Sequence, residues 1–549
     1  MEVRFLSPGS IIASLAQLDQ STGLRSRGPG VRVSQDAPSL TINVSLDQRI
    51  NIFMKYHGML FNVVEHSYCQ RSLGIYRIAH YLRDHNLDIE VVDYANFWSL
   101  SELKELFKSR VSSYTKFIGF SHLFSIWDPV LEQFCQWVKE TYPTIKIVSG
   151  SSVNPNFDSD YIDYYIRGFG EHAILALLDY IISNGPAPKF NLMTSGKKKI
   201  IDANVHYPAF PMNSLMVKYQ DRDFLQPHEW LTIEFARGCK FNCKYCNFPV
   251  LGVKGDYSRS AEDFEQQVRE TYNKYGISNY IVADETFNDR TEKITKFADV
   301  VERLPFDPYF SGYIRADLLA ARPEEKYELL RMNFLGHHCG IESFNQQNLR
   351  IIGKGMNVDR LINGLLEAKK FFTDAVSTKY ICTLSFILGL PHDTEQDVEF
   401  LKHWLINNWQ GQSYDVYPLM IPVGELDKKS IFSIEYSKYG YSHMSDQEIA
   451  LEKQKLTKSL FENHYYSPLA NQMMLWKSPN MNFVTALCAA HEVGNLKQIY
   501  DFRSGAMAMG HILTSPYSLD EKLNFPSFRN LRVSGVDHLK SYIHKKLSL

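Results

Sequence analysis

Three of the eight cysteines fall in one short stretch, RGCKFNCKYCNFP, where Cys239, Cys243 and Cys246 are spaced C-x3-C-x2-C. The other five, at 69, 135, 339, 382 and 488, are scattered along the 549 residues, so composition does not explain the cluster. Three thiolates on one loop can converge on one inorganic centre. Iron–sulfur cages prefer thiolate ligands, and a cubane needs four, so three cysteines leave one iron open. A structural zinc ion is the alternative. It would need a fourth ligand, with His228, His337 and His338 as candidates, although structural zinc normally recruits its ligands as two spaced pairs and no second pair is visible.

The elements that must position this loop are readable from periodicity. LTIEFA, residues 231–236, predicts a strand directly before the first cysteine of the cluster. Further strands are expected at 279–284, 309–314, 334–341, 380–388 and 414–421, with helices starting near Ala261, Thr291, Pro323, Val358 and Thr394. Six βα units in succession predict a curved parallel sheet or incomplete barrel with its chemistry at the strands' C-terminal ends. Upstream, the short apolar runs INIFM, DIEVVDY, FIGFS and IKIVSG alternate with amphipathic stretches and predict a separate doubly wound α/β unit. The expected organisation is an extension at 1–48, an α/β domain at 49–185, a linker at 186–228, the barrel at 229–424 and a helical region at 425–549.

Composition bounds the function. Lys and Arg number 59 against 61 Asp and Glu, so no whole-molecule field favours nucleic acid or an anionic membrane. No apolar run long enough to span a bilayer and no secretory leader is apparent, which predicts a cytoplasmic protein. The scattered cysteines are not a disulfide framework. Cys339 and Cys382 lie on expected barrel strands, where they could face the site or simply pack. The C-terminal RNLRVSGVDHLKSYIHKKLSL has five basic residues against one acidic, and is read as a solvated helix face. The aromatic cluster ENHYYS is read as packing.

The cysteine loop resembles the signature of the radical S-adenosylmethionine (SAM) enzymes, C-x3-C-x-aromatic-C after the first strand of a partial (β/α)6 barrel. Tyr245 fills the aromatic position, and Arg237 and Gly238 before the first cysteine are also typical. The resemblance implies a [4Fe-4S] cluster on Cys239, Cys243 and Cys246, with SAM chelating the fourth iron and cleaved reductively to a 5′-deoxyadenosyl radical. In ADETFN, after the second strand, it implies Asp284 and Glu285 as partners of the SAM amino group, with a helix-capping role as the alternative. Arg315 in YIRAD would meet the SAM carboxylate or form an ion pair. Glu342 and Ser343 in GIESFNQQNL would contact the ribose or methionine, and Gly389 and Pro391 in SFILGLPHDTEQD would approach the adenine edge. Thr394 would cap the next helix.

The first unit resembles the cobalamin-binding-like domain that precedes the barrel in one radical SAM subgroup. SLGIYRIAHYLRDHNLDIEVVDY matches its helix and second strand, and IRGFGEHAILALL its closing segment. Ser121, Ser149, Gly150 and Ser151 fall at expected strand ends, where tight turns also need small residues. The D-x-H-x-x-G motif that supplies a cobalt-ligating histidine is absent around both His57 and His66, so cobalamin stays open. With it, the implied outcome is methyl transfer to an unactivated carbon; without it, rearrangement, oxidation or cyclisation. Sulfur insertion is disfavoured, because a second cluster has no obvious ligands. The implied partners are a small-molecule or natural-product-like substrate and a low-potential donor such as flavodoxin, with nucleic acid not favoured. The rival of another class is a non-catalytic zinc or iron–sulfur protein. No catalytic residue beyond the cofactor ligands is singled out.

Overall fold

Runs of branched and aromatic residues build two parallel sheets. The computed structural model describes residues 56–63, 71–122, 129–151, 159–192, 199–212, 216–225, 229–246, 257–421, 430–454, 474–496 and 533–549. These lie in one unit, Met54–Leu549. The expected extension at 1–48, the INIFM run, His66, Cys69, His228 and ENHYYS lie outside the described residues.

The first sheet comprises β1 Gly58–Val63, β2 Ile89–Val92, β3 Phe117–His122, β4 Lys146–Ser151, β5 Tyr164–Arg167, β6 Asn191–Leu192 and β7 Lys199–Asp202. Its order is β2-β1-β3-β4-β5-β7-β6, parallel except for β6 against β7. Helices Leu73–Asp84 and Glu171–Ser183 cover one face, where Tyr76, Ala79, Leu82, Ala173 and Leu177 are buried. Helices Leu100–Arg110 and Pro129–Thr141 cover the other, through Leu103, Phe107, Phe134 and Val138. This is the doubly wound arrangement expected, and its strand order reverses between β1 and β3, the place where sheets of this kind take their ligands. The stretch 186–228, expected as a linker, instead supplies β6 and β7: Lys199–Asp202 pairs in parallel with Tyr164–Arg167, burying Ile200 and Ile201.

The second sheet has six parallel strands in sequential order: β8 Trp230–Ile233, β11 Asn279–Val282, β12 Tyr309–Ile314, β13 Phe334–Glu342, β14 Ile381–Leu388 and β15 Ser413–Pro418. Between β8 and β11, the short strands β9 Ala236–Arg237 and β10 Tyr257–Ser258 form an antiparallel ladder. The crossover helices are Ala261–Tyr275, Thr291–Val301, Glu325–Arg331, Val358–Val376 and Glu395–Asn408, all near their expected starts. The helices at Ala316–Ala321 and Gln346–Ile352 were not foreseen; both are short turns that follow strand ends. Thr394 caps as expected: its hydroxyl accepts from the Asp397 N–H, and the Asp397 carboxylate accepts from the Thr394 N–H at 2.9 Å. One continuous apolar core joins the helices on one face of the first sheet to the barrel strands, from Tyr76 and Leu177 to Leu231, Phe310 and Leu384.

Residues after 425 are not wholly helical. Between helical segments, β16 Ser442–His443 pairs antiparallel with β17 Trp476–Lys477. The last helix, Val533–Ser548, does not present a wholly solvated face. Its Tyr542 and Ile543 enter the core of the first sheet, and the Lys546 ammonium meets Glu90 at 2.9 Å with both groups fully buried. Among the described residues, no helix is long and apolar enough to cross a membrane.

Candidate radical cofactor site

The cysteine loop leaves the C-terminal end of β8 and is tied down on several sides. Asp284, just beyond β11, accepts the backbone N–H groups of Phe235 and Ala236 at 2.8 and 3.0 Å. Gly238 then turns the chain at φ +90°, a conformation that favours glycine. Farther on, the Lys244 N–H donates to the Ile352 carbonyl, and the Lys244 carbonyl accepts from the Phe432 N–H. The loop is thus held between a barrel helix end and the C-terminal region.

Cys239, Cys243 and Cys246 form no disulfide. Cys239 Sγ lies 3.6 Å from Thr286 Oγ1, and Cys243 Sγ accepts from Arg315 Nη1 at 3.6 Å. Burial pushes the Cys243 thiol up, while Lys354 and Arg315 pull it down. Among the described residues, no three His, Cys, Asp or Glu groups close to single-ion spacing. The zinc alternative loses a candidate fourth ligand. Both ring nitrogens of His337 are engaged in the core, one with the Phe334 carbonyl at 2.8 Å and the other with the Tyr380 hydroxyl at 3.3 Å. His338 packs its ring against Tyr313. The donor set fits an iron–sulfur cage, with three thiols on one loop and two cations placed to offset thiolate charge.

The remaining expected residues separate into groups. Asp284 is occupied by Phe235, Ala236 and the Lys293 ammonium at 3.5 Å, and burial pushes it up to about 6. Glu285 has no ion-pair partner among the described residues, and burial, with Asp284 and Glu234 nearby, pushes it up to about 8. Of the acidic pair, Glu285 is therefore the one available to a cation. Arg315 is engaged as well. Its guanidinium pairs with Asp317 through two nitrogens, at 3.0 and 2.5 Å, and lies 3.9 Å over the Phe241 ring. That arrangement gives the ion pair named as the alternative for Arg315 and places its guanidinium against the cysteine loop.

Glu342 ends β13 at φ +70°, a strained position for a residue with a side chain. Its Oε1 accepts from the Tyr245 hydroxyl at 2.6 Å and from the Lys354 ammonium at 2.9 Å. Buried Glu342 and Lys354 and half-buried Tyr245 thus form a polar cluster beside Cys243; nothing in GKGMN marks Lys354 in the sequence. Ser343 is buried and accepts from the Asn345 N–H. Gly389 and Pro391 are covered from outside. Gly389 is at φ +90°, a Cβ there would collide with the Trp476 indole, and its carbonyl accepts from the Tyr441 hydroxyl. The Pro391 carbonyl accepts from Asn480. Small residues in this turn admit the C-terminal region, and Asp393 braces it by accepting the Gly389 and Leu390 N–H groups at 2.8 and 2.9 Å. Cys339 and Cys382 do not face the site. They lie 3.8 Å apart, buried in the core with Tyr380 and Phe372.

Residues 233–405 match the Radical SAM superfamily. These residues form a radical SAM domain. In this chain the matched residues follow the first, Rossmann-like sheet. A radical SAM methyltransferase from Kitasatospora setae, TsrM, solved with cobalamin and a [4Fe-4S] cluster bound, superposes with a TM-score of 0.57 over 83% of this chain and 98% of that one, at 13% identity. An uncharacterized methyltransferase of Pyrococcus horikoshii is 26% identical over 167 residues; the match spans 30% of this chain and 34% of that protein. The bacteriochlorophyllide d C-8(2)-methyltransferase of Chlorobaculum tepidum is 21% identical over 353 residues, 61% of this chain and 75% of that protein.

Proposed function

We propose that this protein is a radical SAM enzyme that transfers a methyl group to an unactivated carbon of a small molecule, with cobalamin held by the first module. Cys239, Cys243 and Cys246 would ligate a [4Fe-4S] cluster. The observation that carries the reading is the three-thiol loop at the C-terminal mouth of the barrel, with Arg315 and Lys354 beside Cys243. When bound, the cluster supplies the electron that splits SAM, and cobalamin carries the methyl group.

The chain's own residues bind, orient and exclude water. Glu285 offers a carboxylate to the SAM amino group. Tyr245, Glu342 and Lys354 fix the wall beside the loop. Trp476 and Tyr441 close the turn after β14 against solvent, which keeps reactive species from quenching. The loops at the β1/β3 switch point, where a cobalamin would sit, fall at 64–70 and 123–128, outside the described residues. A flavodoxin-type protein would supply the electron.

Anaerobic reconstitution tests the reading. A brown protein with about four iron and four sulfide per chain that forms 5′-deoxyadenosine or methylated product from SAM supports it. Loss of iron on replacing the three cysteines with alanine supports it further. A colourless protein holding one tight zinc overturns it. An absorption spectrum unchanged by added cobalamin removes the methyl-transfer half and leaves rearrangement, oxidation or cyclisation.

A further inference from the structure

Arg237 lies two residues before Cys239, and its guanidinium reaches the first module. Its Nη2 donates to Glu171 Oε1 at 2.6 Å, its Nε to Glu234 Oε1 at 2.7 Å, and its plane lies 4.2 Å over the Phe169 ring. Glu171 opens the helix Glu171–Ser183 of the first module. A second arginine of that module, Arg77, closes the set, meeting Glu171 at 3.1 Å and Glu234 at 3.6 Å. All four side chains are buried, at 4–10% exposure. Two positive and two negative charges thus form a neutral quartet that spans the two modules. Burial alone would raise the Glu171 carboxyl, yet Arg237 and Arg77 hold it down at about 2, so it stays charged at any physiological pH. From the barrel side, Asp284 grips Phe235 and Ala236, so the four residues from Glu234 to Arg237 are pinned by both modules.

We propose that Glu171 is a positioning residue for the cysteine loop: by clamping Arg237 it fixes the chain's entry to Cys239, and from the neighbouring module it sets the electrostatic surroundings of the cluster. The inference rests on the reading that Cys239, Cys243 and Cys246 hold a cluster. A buried quartet serves docking alone if only its contacts matter. If its charge balance matters as well, single neutralisations act on the cluster with opposite sign. E171Q leaves the quartet one charge positive, which favours the reduced, more negative cluster. R237Q leaves it one charge negative, which disfavours that state.

The test uses full-length reconstituted protein and measures iron content, the electron paramagnetic resonance spectrum of the reduced state and its midpoint potential. The expected result is a midpoint above wild type for E171Q, below it for R237Q, and restored in E171Q/R237Q. Shifts of the same sign, or no shift with full iron occupancy, overturn the proposal and leave the cluster reading intact. A wild-type protein without a cluster overturns both. Should E171Q fail to fold, E171D withdraws the carboxylate by one methylene at constant charge. Its reduced spectrum is expected to become heterogeneous, and a spectrum identical to wild type overturns the proposal.

Discussion

Glu342 pairs an uncommon backbone conformation with two strong donors on one oxygen, and that combination explains why a residue with a side chain is held at φ +70°. A left-handed conformation costs roughly 1–2 kcal/mol, which the hydrogen bond from Tyr245 and the ion pair with Lys354 offset. Tyr245→Phe is therefore expected to destabilise the protein by about 1.5–3 kcal/mol, read as a lowered urea midpoint at constant slope. Glu285 allows a prediction in pH. Its folded pKa, about 8, lies above the ordinary glutamate value, so its ionisation opposes folding. The sign follows: its contribution is fully present below about pH 4.3 and is lost as pH rises through about 8. Between pH 5 and 8 the stability of the wild-type protein should fall more steeply than that of Glu285→Gln, by on the order of a few kcal/mol at most. Parallel pH profiles for the two proteins would show that Glu285 is not in the surroundings described. A ligand ammonium bound at this carboxylate would favour its charged form, so SAM binding near pH 7 should release a proton, measurable by calorimetry in buffers of different ionisation enthalpy.

At the scale of elements, the turn after β14 is shaped by what covers it. Gly389 at φ +90° under the Trp476 indole leaves no space for a methyl group. Gly389→Ala should cost about 2–5 kcal/mol from the left-handed backbone and the clash together, and Trp476 fluorescence should shift red as the indole is displaced. The glycine was legible in LGLPHDTEQD, but not its reason, because Trp476 is 87 residues downstream and nothing local links the two. The same distinction holds elsewhere. β12, β13 and β14 were readable because their apolar runs exceed what a turn or short helix would carry. β1, by contrast, is GMLFNV and carries no alternation to set its register, because a strand buried on both faces has none. β6 and β7 look like linker in the sequence because NL and KIID are short and flanked by Lys, Gly and Pro; only the pairing of β7 with β5, and of β6 with β7, makes them part of a sheet. In the site, spacing alone draws attention to the three cysteines, and only the resemblance to the radical SAM signature singles out Tyr245. The division of labour between Asp284 and Glu285 was not, because it depends on which carboxylate the Phe235 and Ala236 N–H groups reach.

Over the whole molecule, two polar networks far apart in sequence hold the modules together. One is the Glu171–Arg237 quartet. The other secures the last helix to the first sheet, where Lys546 meets Glu90 at 2.9 Å with both side chains fully buried, and the Lys546 carbonyl accepts from Arg110 at 2.7 Å. Tyr542 extends the contact by accepting the Asp93 N–H at 2.9 Å. Asp93 in turn bonds Arg71, which reaches Glu229 at the threshold of β8. The C-terminal helix thus closes an arc that runs from β2 to the start of the barrel, so its removal should be felt well beyond the helix. Lys546→Met strands Glu90 in the core, where among the described residues Arg110 and Arg222, at 3.7 and 3.9 Å, remain to offset it. Breaking a buried pair by removing one partner costs about 3–5 kcal/mol, whereas replacing both with apolar groups is often neutral. The single variant should therefore lose stability and expose residues 533–548 to trypsin at low protease concentration, while E90L/K546M should recover most of the loss. If the double variant is as labile as the single one, the helix is held by geometry that the leucine–methionine pair cannot reproduce, and the charge argument fails. If neither variant changes the cleavage rate, the helix is not docked on β2 in solution.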